Sequence, residues 1–450
     1  MTERRHELRR FPWQVRDSGQ VLLTAAAGVL LVASVAQTAN SGLRDNRAAI
    51  AFGVLIAFGE LLRLSLPGDR ESAPIATAGA LAYALLIRVG DDPVRLTTQQ
   101  VVTAQQVVTA QQVVTVTAIG MIIGAIPHLA VGRPARIGGM AARLLAVASV
   151  AFLFRPLAKD SVVKLHWGVA LPLMASLVIL ALLVEAVLSA LMRADEQRAM
   201  FRVVLVDELR IQLPLGAAVG ASALLIAFAA EVMGLAALAV FTAPLLVTQV
   251  AFRRYSGIRT TYLQTVRSLA KVTEIGGYVE TGHSQRVSRL AVAIGRELGI
   301  HEPELLELEY AALMHDIGQL SLSDPIPGGA TVLVSRADQQ RIAELGAEVI
   351  QQAKVLGAVA EIVRRQNEPY RDVDFVPDEF AADRGSPGPP LSSRIIKAAN
   401  AFDDLVGGSM DPARAAEAVH RLQLDTASEY DPRVVEALSR VMHRRSLIQM

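Results

Sequence analysis

His315 and Asp316 stand side by side in Ala311-Ala312-Leu313-Met314-His315-Asp316-Ile317-Gly318, and His283 lies 32 residues upstream in Thr281-Gly282-His283-Ser284-Gln285-Arg286-Val287. Neutral imidazoles and a carboxylate are suitable ligands for Mn, Fe, Zn or Mg, and an adjacent His and Asp can offer a nitrogen and an oxygen to the same ion. The chemistry to look for is therefore that of a bound divalent ion.

The elements around these residues are helical. Val287, Leu290, Ala291, Ile294 and Leu298 mark one face of a helix that starts at His283 and stops at Gly299. The next helix begins after His301-Glu302, with Pro303 suited to its first turn, and carries Leu305, Leu308, Ala312 and His315 down one side. That phase points His315 inward. Further helices are expected at 337–353, 355–367, 391–406, 411–422 and 432–445, separated by the turn-rich Arg384-Gly385-Ser386-Pro387-Gly388-Pro389-Pro390. His301, His420 and His443 are out of phase with any apolar stripe and read as surface residues.

The order HSxRV (283–287), HDIG (315–318), Gly346-Ala347-Glu348-Val349-Ile350, Arg394-Ile395-Ile396, Ala401-Phe402-Asp403 and Tyr430-Asp431-Pro432-Arg433-Val434-Val435 resembles the HD-GYP branch of the HD superfamily over about residues 265–445. The resemblance implies an all-α domain that holds two or three metal ions and hydrolyses a phosphodiester, notably that of cyclic di-GMP. It also implies metal ligation by His283, His315 and Asp316, with Asp316 at the catalytic centre of an active enzyme. Several positions depart from the family. Gln319 replaces a Lys, Ile342 replaces a metal-binding His, Gln366-Asn367-Glu368 replaces His-His-Glu, and Arg371-Asp372-Val373-Asp374-Phe375-Val376-Pro377 replaces the Gly-rich loop. Asn400 stands where the family has a metal-binding Asp, a neutral and weaker fourth donor. The expected load is one divalent ion (Mn, Fe, Mg or Zn) or none; Glu280, Glu368 and Asp403 are further oxygens without an assigned place.

The other half of the chain is apolar. Of 450 residues 52% are hydrophobic and the mean hydropathy is +0.37, too high for an ordinary soluble protein. Stretches at about 20–38, 48–66, 73–90, 113–131, 137–157, 167–192, 213–231 and 234–252 each approach the roughly 20 residues that span a bilayer. The expected architecture is all-α: about eight transmembrane helices in 1–252, a connecting helix over 253–275, and a cytoplasmic HD-like helical bundle over 276–450. The fifth stretch is the weakest, since Arg143 and Arg155 flank a short core and one of them would have to snorkel; on the surface it would leave seven.

Arginines fix the expected orientation. Arg4, Arg5, Arg9, Arg10 and Arg16, then Arg133, Arg136 and Arg143, then Arg193, Arg198, Arg202 and Arg210, then Arg253, Arg254 and Arg259 all fall on one side of an eight-helix arrangement. Both termini are then cytoplasmic in the cell membrane. The first stretch lacks a small-residue cleavage site and reads as a retained helix. Within the membrane, Glu60 is expected to pair with Arg63 one turn on, Glu185 is the second costly carboxylate, and His128 marks a helix end. A six-residue repeat over 99–116 does not match the helix period and reads as an expansion in an external loop and helix start.

The remaining features narrow the function. Zero cysteines exclude thiol catalysis and disulfides, and a net charge of +1 without a basic-aromatic surface gives no nucleic-acid partner. Tyr255, Ile258, Tyr262, Val266 and Leu269 form a stripe that packs on its own domain or pairs in a homodimer. The ligand losses favour a membrane-anchored signalling protein whose degenerate domain binds a nucleotide or a partner. The alternative is an active metal-dependent phosphohydrolase working on a nucleotide or cyclic dinucleotide. A transporter with a regulatory tail rests on the helix count alone.

Overall fold

A computed structural model describes residues 18–66, 70–87, 89, 108–132, 136–160, 167–197, 199–322, 326, 334–370, 388–407, 409, 411–426 and 428–449. The arginines before residue 18, Arg133, Arg198, the first repeat copies, the replaced Gly-rich loop and most of the 384–390 turn lie outside them. Among the described residues, eight helices occupy the apolar half: α1 (Ser18–Ser41), α2 (Asn46–Leu61), α3 (Pro74–Leu85), α4 (Ala110–Ala130), α5 (Ile137–Asp160), α6 (Trp167–Gln197), α7 (Phe201–Met233) and α8 (Ala236–Ile275). Six of the eight (α1 and α4 to α8) are long and apolar enough to cross a bilayer, so the chain is a multi-pass membrane protein. Val29, Val32, Ile123, Ile126, Ile179 and Val247 stand exposed on them, as lipid-facing side chains do.

The eight expected stretches each acquire a helix, but two are short. α2 has 16 residues and α3 only 12, about 18 Å at 1.5 Å per residue against a hydrocarbon core of about 30 Å. Between them a two-stranded antiparallel hairpin, β1 (Leu64–Leu66) and β2 (Arg70–Ser72), pairs Leu64 with Ser72 and Leu66 with Arg70. Every residue of α3 is buried. Its C-terminal carbonyls are met by Arg155 of α5, which donates to Leu86 O at 2.6 Å and to Tyr83 O. The cation also suits the negative end of the helix dipole.

Arg155 and Arg143 are each 4% exposed, so neither snorkels. Arg143 donates to Glu60 at 2.7 Å and lies 3.7 Å from Glu185, which corrects the expected Glu60–Arg63 pair; Arg63 instead sits 3.6 Å from Glu71. The geometric reason is that a carboxylate buried against α5 finds a guanidinium there without bending back along its own helix. Sequence reading missed Glu208, because α7 starts at Phe201 rather than 213 and carries it inside, where Arg70 approaches to 2.9 Å, Arg193 to 3.4 Å and Gln212 to 2.6 Å. These charges border a cavity of about 450 Å³.

Small residues let the helices meet. A Cβ on Gly124 would lie 2.3 Å from Ala57 O, and one on Gly120 would lie 2.9 Å from Gly53 O, so α4 rests directly on α2 along a glycine pair four residues apart. Gln112, in the last repeat copy, is 1% exposed and bridges Arg44 N, Arg44 O and Tyr83 Oη. That copy lies at the expected helix start, and its Gln112 is part of the core.

The helices after α8 are α9 (His283–Glu297), α10 (Glu302–Met314), α11 (Arg336–Gln351), α12 (Gly357–Arg364), α13 (Leu391–Val406), α14 (Pro412–Leu424) and α15 (Pro432–Gln449). Residues 198–203 and 257–450 form one compact unit; 1–197 and 204–256 form another. The second core gathers Val287, Ile294, Leu308, Val363, Ile396 and Leu438 from five of these helices. Of the expected stripe in α8, Val266 faces this core and Leu269 is 43% exposed, while the side chains of Tyr255, Ile258 and Tyr262 lie outside those described.

Candidate metal centre

Consecutive residues of an α-helix diverge by about 100°, and here the backbone changes helix type between His315 and Asp316. His315 is the C-cap of α10, and Asp316, at φ −98° and ψ 5°, caps a 3-10 turn over Ile317–Ser321. The change demands close backbone approach: a Cβ on Gly318 would fall 1.9 Å from Ile342 O, and Gly346 lies opposite on α11. His283 enters as the first residue of α9, after Gly282 at φ +82°.

Three donor atoms converge. His283 Nε2 lies 3.4 Å from His315 Nε2 and 3.3 Å from Asp316 Oδ2, and His315 Nε2 lies 3.0 Å from Asp316 Oδ2. The three side chains are buried and form a group able to hold an ion. Asn400 Oδ1 adds a fourth donor 3.1 Å from His315 Nε2. Ligands about 2.1 Å from a common ion are separated by about 3.0–3.5 Å, so the spacing fits one ion.

The far side of each imidazole is anchored. His283 Nδ1 lies 2.8 Å from Asp403 Oδ2, and His315 Nδ1 lies 2.9 Å from Ala312 O. With both Nδ1 atoms donating, both Nε2 lone pairs face Asp316 Oδ2, a buried oxygen that has no hydrogen-bond partner. Three acceptors facing one another require a cation, whether protons or a metal. Accordingly, burial alone would lower His283, but its contacts to Asp316 and Asp403 raise it to about 10. His315 is raised by Asp316 against the same effect of burial. Burial would raise Asp316, yet the two imidazoles hold it well below the usual carboxylate range.

Residues that sequence reading left unassigned now have places. Asp403 is not at the donor face; it grips His283 from behind and is itself held by Arg286 at 2.9 Å. Glu280 pairs with Arg286 and Glu368 with Arg365. Gln319 donates to Asp316 Oδ1 at 2.8 Å, and buried Gln366 donates to His315 O at 2.8 Å. Asn367 donates to Gln339 O, and Ile342 is buried. None of these positions offers a second ion an imidazole. Asp404 is a residue the sequence did not flag: its side chain is buried, one oxygen is 4.0 Å from His283 Nδ1, and burial pushes it up to about 6. Its position beside Asp403 was the one available signal.

Residues 272–434 match the HD domain family. This segment is an HD domain. It is 29% identical over 189 residues to the cyclic di-GMP phosphodiesterase response regulator RpfG of Xanthomonas campestris pv. campestris, covering 39% of this chain and 47% of that protein. It is 28% identical over 164 residues to a cyclic di-GMP phosphodiesterase of Thermotoga maritima, covering 34% and 42%. It is 25% identical over 187 residues to the 3'3'-cGAMP-specific phosphodiesterase 2 of Vibrio cholerae serotype O1, covering 40% and 35%. The chain thus spans less than half the length of these relatives. Among the described residues of this domain, His283, His315 and Asp316 form one His-His-Asp group.

Proposed function

We propose that the HD domain is a metal-dependent phosphodiesterase that works with one divalent ion on a cyclic dinucleotide, at the cytoplasmic face of the cell membrane. The observation that carries the reading is the convergence of His283 Nε2, His315 Nε2 and Asp316 Oδ2 with both rear nitrogens anchored. This reverses the preference drawn from the ligand losses alone, because relatives of the domain are phosphodiesterases. An ion bound here supplies Lewis acidity to a phosphoryl oxygen and to water. His283 and His315 hold their lone pairs forward, Asp403 and Ala312 O keep them so, and Asn400 completes the donor face. Asp316 offers Oδ2 to this face while Gln319 fixes Oδ1. Both termini lie in the cytoplasm on the arginine distribution, which gives the domain access to nucleotides.

A second reading, a non-catalytic nucleotide-binding module, is favoured by Ile342, Gln366 and Asn367 at the positions a second ion would need. One experiment separates the two. The full chain, purified in detergent with Mn²⁺, is subjected to elemental analysis and to hydrolysis assays with cyclic di-GMP and 3'3'-cGAMP, beside His315→Ala. About one ion per chain and hydrolysis lost in His315→Ala are expected. Metal without hydrolysis establishes the binding module, and absence of metal overturns the proposal.

A further inference from the structure

A cavity of about 660 Å³ lies behind the metal centre, within the same compact unit and on the opposite side of Asp403. Its floor is apolar, with Phe402, Val406, Val419 and Met442. Its rim carries two guanidiniums and two imidazoles, and Arg286 also pairs with Glu280. Arg286 and Arg289 come from successive positions on one face of α9, and His420 and His443 come from α14 and α15. The one carboxylate at this wall, Asp403, is already held by Arg286 and His283. An apolar floor with a few convergent polar groups, in a volume within about 300–1,000 Å³, is the usual form of a small-molecule site.

We infer that this cavity is a regulatory site for a nucleoside monophosphate, whose base lies on the apolar floor and whose phosphate takes Arg286 and Arg289. Arginine is the side chain best matched to phosphate. The cavity also has a built connection to the metal centre. Arg286 bonds both oxygens of Asp403, at 2.9 and 2.9 Å, and Asp403 Oδ2 in turn holds His283 Nδ1 at 2.8 Å. A phosphate competing for Arg286 releases Asp403 from its fixed position and loosens the imidazole that presents Nε2 to the ion. Loss of such an outer-shell partner weakens metal affinity by about 10- to 100-fold, so a ligand that only competes for it should produce the lower part of that range. The choice of a nucleotide rests on the proposed phosphodiesterase reading, since hydrolysis of a cyclic dinucleotide yields nucleotides that would restrain their own production.

The test uses the full chain in detergent and GMP as the probe. Equilibrium dialysis with radiolabelled GMP in the presence of chelator keeps metal, and therefore the metal centre, out of the measurement. Wild type is compared with Ala416→Trp, which fills the cavity mouth, and Arg289→Glu, which reverses a rim charge; both positions are exposed and their folding is checked by melting. One GMP per chain is expected, bound at least about tenfold more weakly by both variants. Unchanged binding in both variants, or none in wild type, overturns the site. Mn²⁺ affinity is then followed by electron paramagnetic resonance with and without GMP. It should fall about tenfold in wild type and stay level in Ala416→Trp. GMP binding without that fall overturns the regulatory connection. Failure of wild type to bind Mn²⁺ strikes the proposed enzyme and the connection, while the dialysis still decides the cavity.

Discussion

At the scale of residues, the chemistry of the centre is a competition between protons and metal for two imidazoles. His283 is raised from an unfolded value of about 6.5 to about 10, so in metal-free protein its contribution to stability is full below about pH 6.5 and is lost as pH rises through about 10. Asp316 and Asp403 are depressed, so theirs is present above the unfolded value of about 4 and lost as pH falls through the folded values. A metal must displace the imidazole protons, and its affinity therefore climbs with pH. The expected outcome is a rise in melting temperature on adding Mn²⁺ that is larger at about pH 8 than at about pH 6; an equal rise at both would contradict proton displacement. His283, His315 and Asp316 could be named as donors from residue type and Asn400 from its place in the resemblance, and the structure brings their donor atoms together. The anchoring by Asp403, Gln319 and Gln366 was not legible, since a carboxylate or amide does not announce which side of an imidazole it will meet.

Among elements, glycine decides the tight contacts. Gly318 has no room for a Cβ against Ile342 O, so Gly318→Ala should push α11 away from the 3-10 turn and destabilise the HD domain by on the order of 3 kcal/mol. Thermal melting with and without Mn²⁺ would register this as a lower midpoint and weaker metal stabilisation; an unchanged midpoint would show that α11 yields freely. Helix positions in this domain were readable from apolar period. The expected 391–406 helix is α13 (Leu391–Val406), and 337–353 is α11 (Arg336–Gln351). What periodicity could not convey was the switch from α10 to a 3-10 turn between His315 and Asp316, because both helix types bury the same neighbours over so few residues. Nor could it separate the two faces of α8, where Val266 turns inward and Leu269 outward.

At the scale of the whole molecule, the membrane half buries ion pairs within its apolar packing. Arg143 stands between Glu60 and Glu185, so Arg143→Leu strands two carboxylates and should cost about 3–5 kcal/mol. Melting in detergent should show a large loss for the single variant and partial recovery when Glu60→Gln is added; no recovery would mean that Glu185 alone sets the penalty. Topology is tested separately by reporter fusions after residue 275, which should report a cytoplasmic location. An external signal would remove the HD domain from its proposed substrates. The apolar stretches were legible from composition, but six rather than eight of their helices are long and apolar enough to cross, and the shortness of α2 and α3 was not legible. Hydropathy averages over a window and does not register where a backbone stops being helical.

The 12 residues of α3 also bear on the order in which the protein is made. A ribosome delivers α3 well before Arg155, the residue that satisfies the carbonyls at its end, because α4 and most of α5 intervene. Until then α3 is too short to be retained as a crossing on its own and lacks the Arg155 donor at its end. Its integration is thus a delayed event, completed when α5 arrives rather than when α3 leaves the translocon. Nascent chains halted after α4 should leave Ala82 or Ala84, changed to cysteine, open to a water-soluble thiol reagent, and chains extended through α5 should close them.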